Sequence, residues 1–350
     1  MSDNHLKITG SSGELSITTT IENENMEGET GEILSVERNG SVVLPAKKFS
    51  SIAKALPDRE GFGSLETENK HVNMKSGKSK FVLQTMNAEE YPRLPQVNEK
   101  GTFVVNGVEF SDGLNKTVFV TAKDQTKPHF TGINIISGEG TLTMNATDTH
   151  RLNRKNSIAY EGDSFEGIIL PEKSAKEIAK LIKNCGKVDV YITDNLAIFK
   201  TEDDVIYSKL IAGNYPDVDV TKVIPQEFQI TVTVSRAGLL SALERAMILA
   251  KEDNKIVTLE IGAENETIFE SIKVYQRGEI GKSNEIVAVD KVECGEIAIS
   301  VNADYVINAL KHIDDERIEM KFNNSVHPFM IVGEETKNEF LQVIMPVRPY

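Results

Sequence analysis

Ile169-Leu170-Pro171-Glu172-Lys173-Ser174-Ala175-Lys176-Glu177-Ile178-Ala179-Lys180-Leu181-Ile182 has an echo near the start of the chain, Val43-Leu44-Pro45-Ala46-Lys47-Lys48-Phe49-Ser50-Ser51-Ile52-Ala53-Lys54-Ala55-Leu56. Ile299-Ser300-Val301-Asn302-Ala303-Asp304-Tyr305-Val306-Ile307-Asn308-Ala309-Leu310-Lys311 is a looser third copy. The copies stand about 125 to 130 residues apart, so each marks a whole domain and not a solenoid repeat of about 20 to 50 residues. In each, a strand runs into a short amphipathic helix, apolar for example at Ile52, Ala55 and Leu56 and at Ile178, Leu181 and Ile182.

Outward from these helices the chain alternates like half-buried strands: 6–9, 15–18, 81–84, 103–105, 188–192 and 257–261, separated by Gly-, Asn- and Asp-bearing turns. Further helices are predicted around Asp112–Val120 and over Arg236–Leu249. Strand runs with two helices per repeat predict an α+β protein with the helices on one face of each sheet. Pro-rich exits after Tyr91-Pro92 and from Tyr215-Pro216 to Ile224-Pro225 divide the chain into domains 1–98, 99–226 and 227–350. The first repeat has about 43 residues before its Leu-Pro and the second about 65, so a strand and helix of about 25 residues are expected to be absent from the first. Either that domain is truncated or Met1 is an internal methionine.

A chain of 350 residues, 39% apolar and 26% charged, can bury two or three cores. Cys185 and Cys294 make no disulfide framework, no apolar run approaches a membrane span and the N-terminus is unlike a signal peptide, so a reducing cytoplasm is expected. The net charge of -14 excludes a protein that simply coats nucleic acid. Contact with DNA would need a segregated basic face, and Lys47, Lys48, Lys54, Lys173, Lys176, Lys180 and Lys183 collect on the repeated helices. Taken alone, such lysines are better explained as a solvated helix face, where Lys is common.

The polar stretch Ala146-Thr147-Asp148-Thr149-His150-Arg151-Leu152-Asn153 interrupts the strands near mid-chain. His beside Asp and Arg invites a metal or acid/base role, but no second His, Cys or carboxylate stands at ligand spacing, which favours a polar turn or binding surface. Gly77-Lys78-Ser79 and Gly281-Lys282-Ser283 look like the end of a phosphate-binding loop, yet Val72 and Gln276 stand where that loop needs Gly. Glu202-Asp203-Asp204 and Asp314-Asp315-Glu316 are expected to be solvated turns rather than metal sites.

Glu90-Tyr91-Pro92-Arg93-Leu94-Pro95, Ala146 to Leu152, Gly213-Asn214-Tyr215-Pro216-Asp217, Ser76-Gly77-Lys78-Ser79-Lys80-Phe81 and the terminal Met345-Pro346-Val347-Arg348 together resemble the hallmark stretches of the bacterial DNA polymerase III beta subunit, the sliding clamp. The resemblance runs in order over essentially the whole chain. It implies three similar domains per subunit, closed head to tail as a homodimer into a six-domain ring with helices inside and sheets outside. The implied role is non-catalytic, without metal or cofactor: the ring encircles double-stranded DNA and tethers the replicative polymerase.

The resemblance also assigns residues. A pocket for short linear motifs would comprise Phe130, Thr147, His150, Arg151, Leu152, Pro216, Val223, Val343, Met345, Pro346, Val347 and Arg348. Its partners would be the DNA polymerase III alpha subunit, the clamp loader delta subunit, and other DNA polymerases and repair proteins. Lys222 stands where the best-known clamp has Arg. Lys127 and His129 would face DNA, joined on our inference by Lys47, Lys48, Lys173 and Lys176. Phe81 and Leu83 would meet Ile248 and Leu249 of the next subunit. Two other readings stand beside this one: a truncated clamp-like protein that binds clamp partners without closing a ring, and an enzyme using His150 and Asp148.

Overall fold

A computed structural model describes residues 5–22, 34–56, 63–68, 70–94, 102–215, 224–250, 255–262, 270–278, 281–293 and 295–348. They fall into two compact units, 1–99 with 202–205, and 100–201 with 206–350.

In the first unit β1 (His5–Ser11) and β2 (Leu15–Glu22) form an antiparallel hairpin, turned through Gly13 at φ 88. Helix α1 (Ala46–Ala55) follows Pro45, and β3 (Ser64–Glu68), β4 (His71–Ser76) and β5 (Ser79–Gln84) make an antiparallel meander. Alternation on β4 sends Val72 and Met74 inward. Among the described residues this unit has one α-helix.

The second unit contains one path twice. Its first pass is β6 (Phe103–Val105), α2 (Gly107–Val118), β7 (Gly132–Ser137), β8 (Thr141–Thr147), β9 (Arg151–Gly162), β10 (Ile168–Pro171), α3 (Glu172–Ile182), β11 (Val188–Ile192), β12 (Leu196–Lys200) and, from residue 206 on, β13 (Asp204–Lys209). The second pass is β14 (Ile230–Ser235), α4 (Arg236–Met247), β15 (Ile256–Ile261), β16 (Ser271–Arg277), β17 (Lys282–Glu293), β18 (Ile297–Asn302), α5 (Ala303–Lys311), β19 (Arg317–Phe322), β20 (Phe329–Gly333) and β21 (Phe340–Ile344). Antiparallel pairing runs β10-β7-β8-β9-β6-β11-β12 in the first pass. It runs β18-β15-β16-β17-β14-β19-β20 in the second, so the internal repeat is a repeat of topology.

The helices form where caps and apolar spacing agree. Asn106 Oδ1 accepts from the amides of Val108 (2.9 Å) and Glu109 (3.2 Å), which starts α2 at Gly107 and not near Asp112 as expected. Ser235 caps α4 and Asn302 caps α5 in the same way. α2 packs on α3 and on β7, β8 and β9, while α4 packs on α5 and on β14, β16 and β17. The α2 to α3 approach is close: a Cβ on Gly107 would stand 2.6 Å from the Ile182 and Cys185 carbonyl oxygens. Phe103, Phe110, Leu114 and Phe199 are buried in the first pass, and Leu239, Leu243, Phe322, Phe329 and Phe340 in the second.

The two passes share an edge. β9 pairs with β21 from Arg151↔Ile344 to Lys155↔Phe340, which joins their sheets. Beside that seam Lys116 Nζ lies 3.1 Å from Asp112 and 2.9 Å from Asp314, and 5.7 Å from the centre of the Phe340 ring. Burial opposes the Lys116 charge, but the two carboxylates outweigh it and raise its pKa. In the acidic run at 314–316, Asp314 and Glu316 are exposed as expected, and only the middle residue departs from a solvated turn. Asp314 reaches across the seam, and Asp315, 9% exposed, accepts from the Glu335 and Thr336 amides and the Thr336 hydroxyl.

Candidate docking site at the β9 and β21 seam

The 147–151 turn is built by its own side chains. Thr147 Oγ1 accepts from the Thr149 amide (3.0 Å) and donates to the Arg151 carbonyl (2.6 Å). Asp148 Oδ1 accepts from the His150 and Arg151 amides at 3.0 Å each, and its Oδ2 accepts from Arg151 Nε at 2.9 Å. Thr149 takes a left-handed conformation, φ 75, at the tip. With its oxygens so engaged, Asp148 orders the turn instead of serving His150 as a base partner.

Arg151 carries the turn to both neighbours. Its Nη2 donates to the Phe119 carbonyl at the end of α2 (3.1 Å), and its guanidinium lies 4.5 Å from the Tyr305 ring centre on α5. The Arg151 Nη1 atom is buried and has no hydrogen-bond partner among the described residues. His150 stays exposed, its ring 6.4 Å from that of Tyr305.

The C-terminal tail runs alongside. The Met345 amide donates to the His150 carbonyl (2.8 Å), and the Val347 amide donates to the Ser300 carbonyl (2.8 Å). Leu152 faces Val343 across the seam, and both are buried with Ile224, while Met330 and Leu341 pack at the edge of the cluster. Met345 is 40% exposed beside them, Pro346 and Val347 are half-buried and Arg348 is exposed. Phe130 is buried edge-on to Tyr215, with ring centres 5.6 Å apart. Burial, with the Asp148 charge nearby, pushes the Tyr215 phenol above its ordinary range.

The structure thus gathers Thr147, His150, Arg151, Leu152, Val343 and Met345, pairs Phe130 with Tyr215, and continues along the tail through Pro346, Val347 and Arg348. Pro216 and Val223 lie outside the described residues. Phe119, Tyr305, Ile224, Met330 and Leu341 also belong to this neighbourhood and were not singled out from the sequence. Ile224-Pro225 at a linker edge was the one local hint.

The basic residues are less free than the sequence suggests. Lys47 and Lys48 on α1 and Lys173 on α3 are exposed, and Lys127 is exposed in the loop before Phe130. His129 is half-buried, its ring 4.4 Å from that of Phe130. Lys176 Nζ, however, is 2.6 Å from Glu172, which also binds Lys123, and Lys180 is 2.7 Å from Glu177. Burial works against the Glu172 carboxylate, but Lys123 and Lys176 outweigh it and hold its pKa below the ordinary range. Phe81 and Leu83 are half-buried on β5, which pairs only with β4 among the described residues, and Val82 between them is 61% exposed. At the end of α4 Ile248 is 75% exposed and Leu249 half-buried.

The fold is that of a DNA sliding clamp. The crystal structure of the DNA polymerase sliding clamp from Bacillus subtilis matches with a TM-score of 0.88 and 32% identity, covering 100% of this chain and 90% of that one. That of the DNA polymerase III beta chain from Streptococcus pneumoniae TIGR4 matches with a TM-score of 0.87 and 28% identity, covering 99% and 90%. The beta sliding clamp of Bacillus subtilis strain 168 is 34% identical over 356 residues, 100% of this chain and 90% of its own length.

The chain belongs to the DNA polymerase III beta subunit family, whose N-terminal domain matches residues 1–95, central domain 104–217 and C-terminal domain 221–348.

Proposed function

We propose that this clamp closes as a head-to-tail homodimer around duplex DNA in the cytoplasm, and that it tethers its partners there without catalysing a reaction. The observation that carries the proposal is the seam. A sequence-distant turn, strand and tail converge on Leu152, Val343 and half-exposed Met345, an apolar seat with polar walls from His150 and Arg151. Met and branched aliphatics repack around different guests, which suits a platform shared by several short linear motifs. The guests would come from the DNA polymerase III alpha subunit, the clamp loader delta subunit, other DNA polymerases and repair proteins. Domains divided as 1–98, 99–226 and 227–350 would supply the ring.

Ring closure makes retention topological, so phosphate contacts through Lys47, Lys48, Lys127, His129, Lys173 and Lys176 can stay weak and non-specific, as sliding requires. The free edge of β5 with Phe81 and Leu83 would receive the end of α4 with Ile248 and Leu249. Light scattering after size exclusion tests this closure. The wild-type chain should run at twice its 38.7 kDa mass and the Ile248→Ala/Leu249→Ala variant at the single-chain mass. A wild-type monomer at micromolar concentration would instead favour a docking protein that closes no ring.

A further inference from the structure

A groove of about 380 Å³ lies on the outer face of the shared sheet and is lined by none of the tail residues 345–348. Strand alternation explains its floor. Phe329, Ile331 and Phe340 point into the core, so Met330 and Leu341 emerge on the opposite face over the fully buried Val332, where Phe228 flanks them. Arg154, Lys321 and Lys337 stand among its walls.

The charges in this groove are unequal. Glu319 is shared by Lys321 (2.7 Å) and Lys337 (3.3 Å), which leaves one carboxylate for two ammonium groups. Arg154 has no carboxylate at ion-pair distance among the described residues, and its Nε donates to the Asn156 side-chain oxygen (2.7 Å). Burial alone pulls the Arg154 pKa down. In a protein of net charge -14, a half-buried guanidinium with no counter-ion among the described residues, beside an apolar floor, is an opening for a carboxylate, which can bind it through two parallel hydrogen bonds. Single-stranded nucleic acid would call for a row of aromatic stacking platforms and a continuous basic track, and this floor is aliphatic apart from Phe228.

We propose that the groove docks a peptide segment of a partner protein in which an Asp or Glu neighbours a large apolar residue, the carboxylate on Arg154 and the apolar side chain on Met330 and Leu341. This contact rests on the docking reading above: it adjoins the seat at Met345, shares Ile224, Met330 and Leu341 with that cluster, and lengthens the docking surface along β9 and β21.

Fluorescence anisotropy on the full chain tests it, with a labelled nonapeptide centred on Leu-Asp-Phe between Gly and Ser flanks. Binding should weaken about tenfold in Arg154→Ala, and equally when the peptide Asp becomes Asn. Arg154→Lys, which keeps the charge and loses the fork, should fall between, and Lys337→Glu at the exposed rim should weaken binding about threefold. Thermal melting checks that each variant is folded, and Met345→Ala should change the affinity less than about twofold. Four results would overturn the proposal: no binding to the wild type, binding indifferent to both Arg154→Ala and Lys337→Glu, loss in Met345→Ala alone, which would put the peptide in the tail seat, or displacement by an oligonucleotide in an Arg154-dependent way.

Discussion

Asp315 shows how a residue's surroundings overrule its type. In sequence it sits in an acidic run that reads as solvated charge. Folded, it accepts from the Glu335 amide (2.7 Å), the Thr336 amide (3.0 Å) and the Thr336 hydroxyl (2.9 Å), and so holds the loop between β20 and β21. Burial raises its pKa, but these donors outweigh it and the net shift is downward. A carboxylate whose folded pKa lies below its unfolded one contributes fully above the unfolded pKa and loses that contribution as pH falls through the folded value. Asp315→Asn should therefore destabilise by about 1 to 3 kcal/mol near neutral pH. The gap in Tm between wild type and variant should close below about pH 4. A gap constant down to low pH would mean that the ionised form carries no stability. Gly333→Ala reports on the same contact, since its Cβ would stand 2.4 Å from Asp315 Cγ, and the two substitutions should combine sub-additively. None of this was legible beforehand, because the donors come from a different segment.

At the scale of elements much more could be read. The strand-into-helix repeat placed α1, α3 and α5, and period-two alternation found β1, β2, β5, β6, β11 and β15. The helix expected around Asp112–Val120 starts five residues earlier, at Gly107, because the Asn106 side chain caps it there. The lysine-bearing face of α3 was also read too simply. Lysine counts say nothing of side-chain pairing, and Glu172 holds both Lys123 and Lys176. If α3 faces DNA, Glu172→Gln frees two ammonium groups for phosphates. It should tighten binding to a short duplex about two- to threefold at low salt and steepen the fall of affinity with salt. Unchanged affinity and salt slope, measured by anisotropy, would place α3 away from the DNA path.

At the scale of the whole molecule the decisive feature is a register. Leu152 meets Val343 because β9 and β21 pair, and no local pattern in either strand announces a neighbour so far along the chain. The convergence of the 147–151 turn with the tail was expected only from family resemblance, and Tyr305, Phe119 and Met330 entered only once the strands were seen side by side. Their individual codes look like ordinary core or surface.

A ring that holds DNA by closure differs from a binder that holds it by contact in one respect that can be measured directly. The clamp should be loaded by its clamp loader onto a nicked circular plasmid, isolated by gel filtration, and followed before and after a single restriction cut. Topological retention predicts co-elution with the circle, rapid loss once the plasmid is linear, and recovery when tightly bound proteins block both ends. Equal retention on circular and linear DNA, or retention on the circle that vanishes with modest salt, would contradict encirclement.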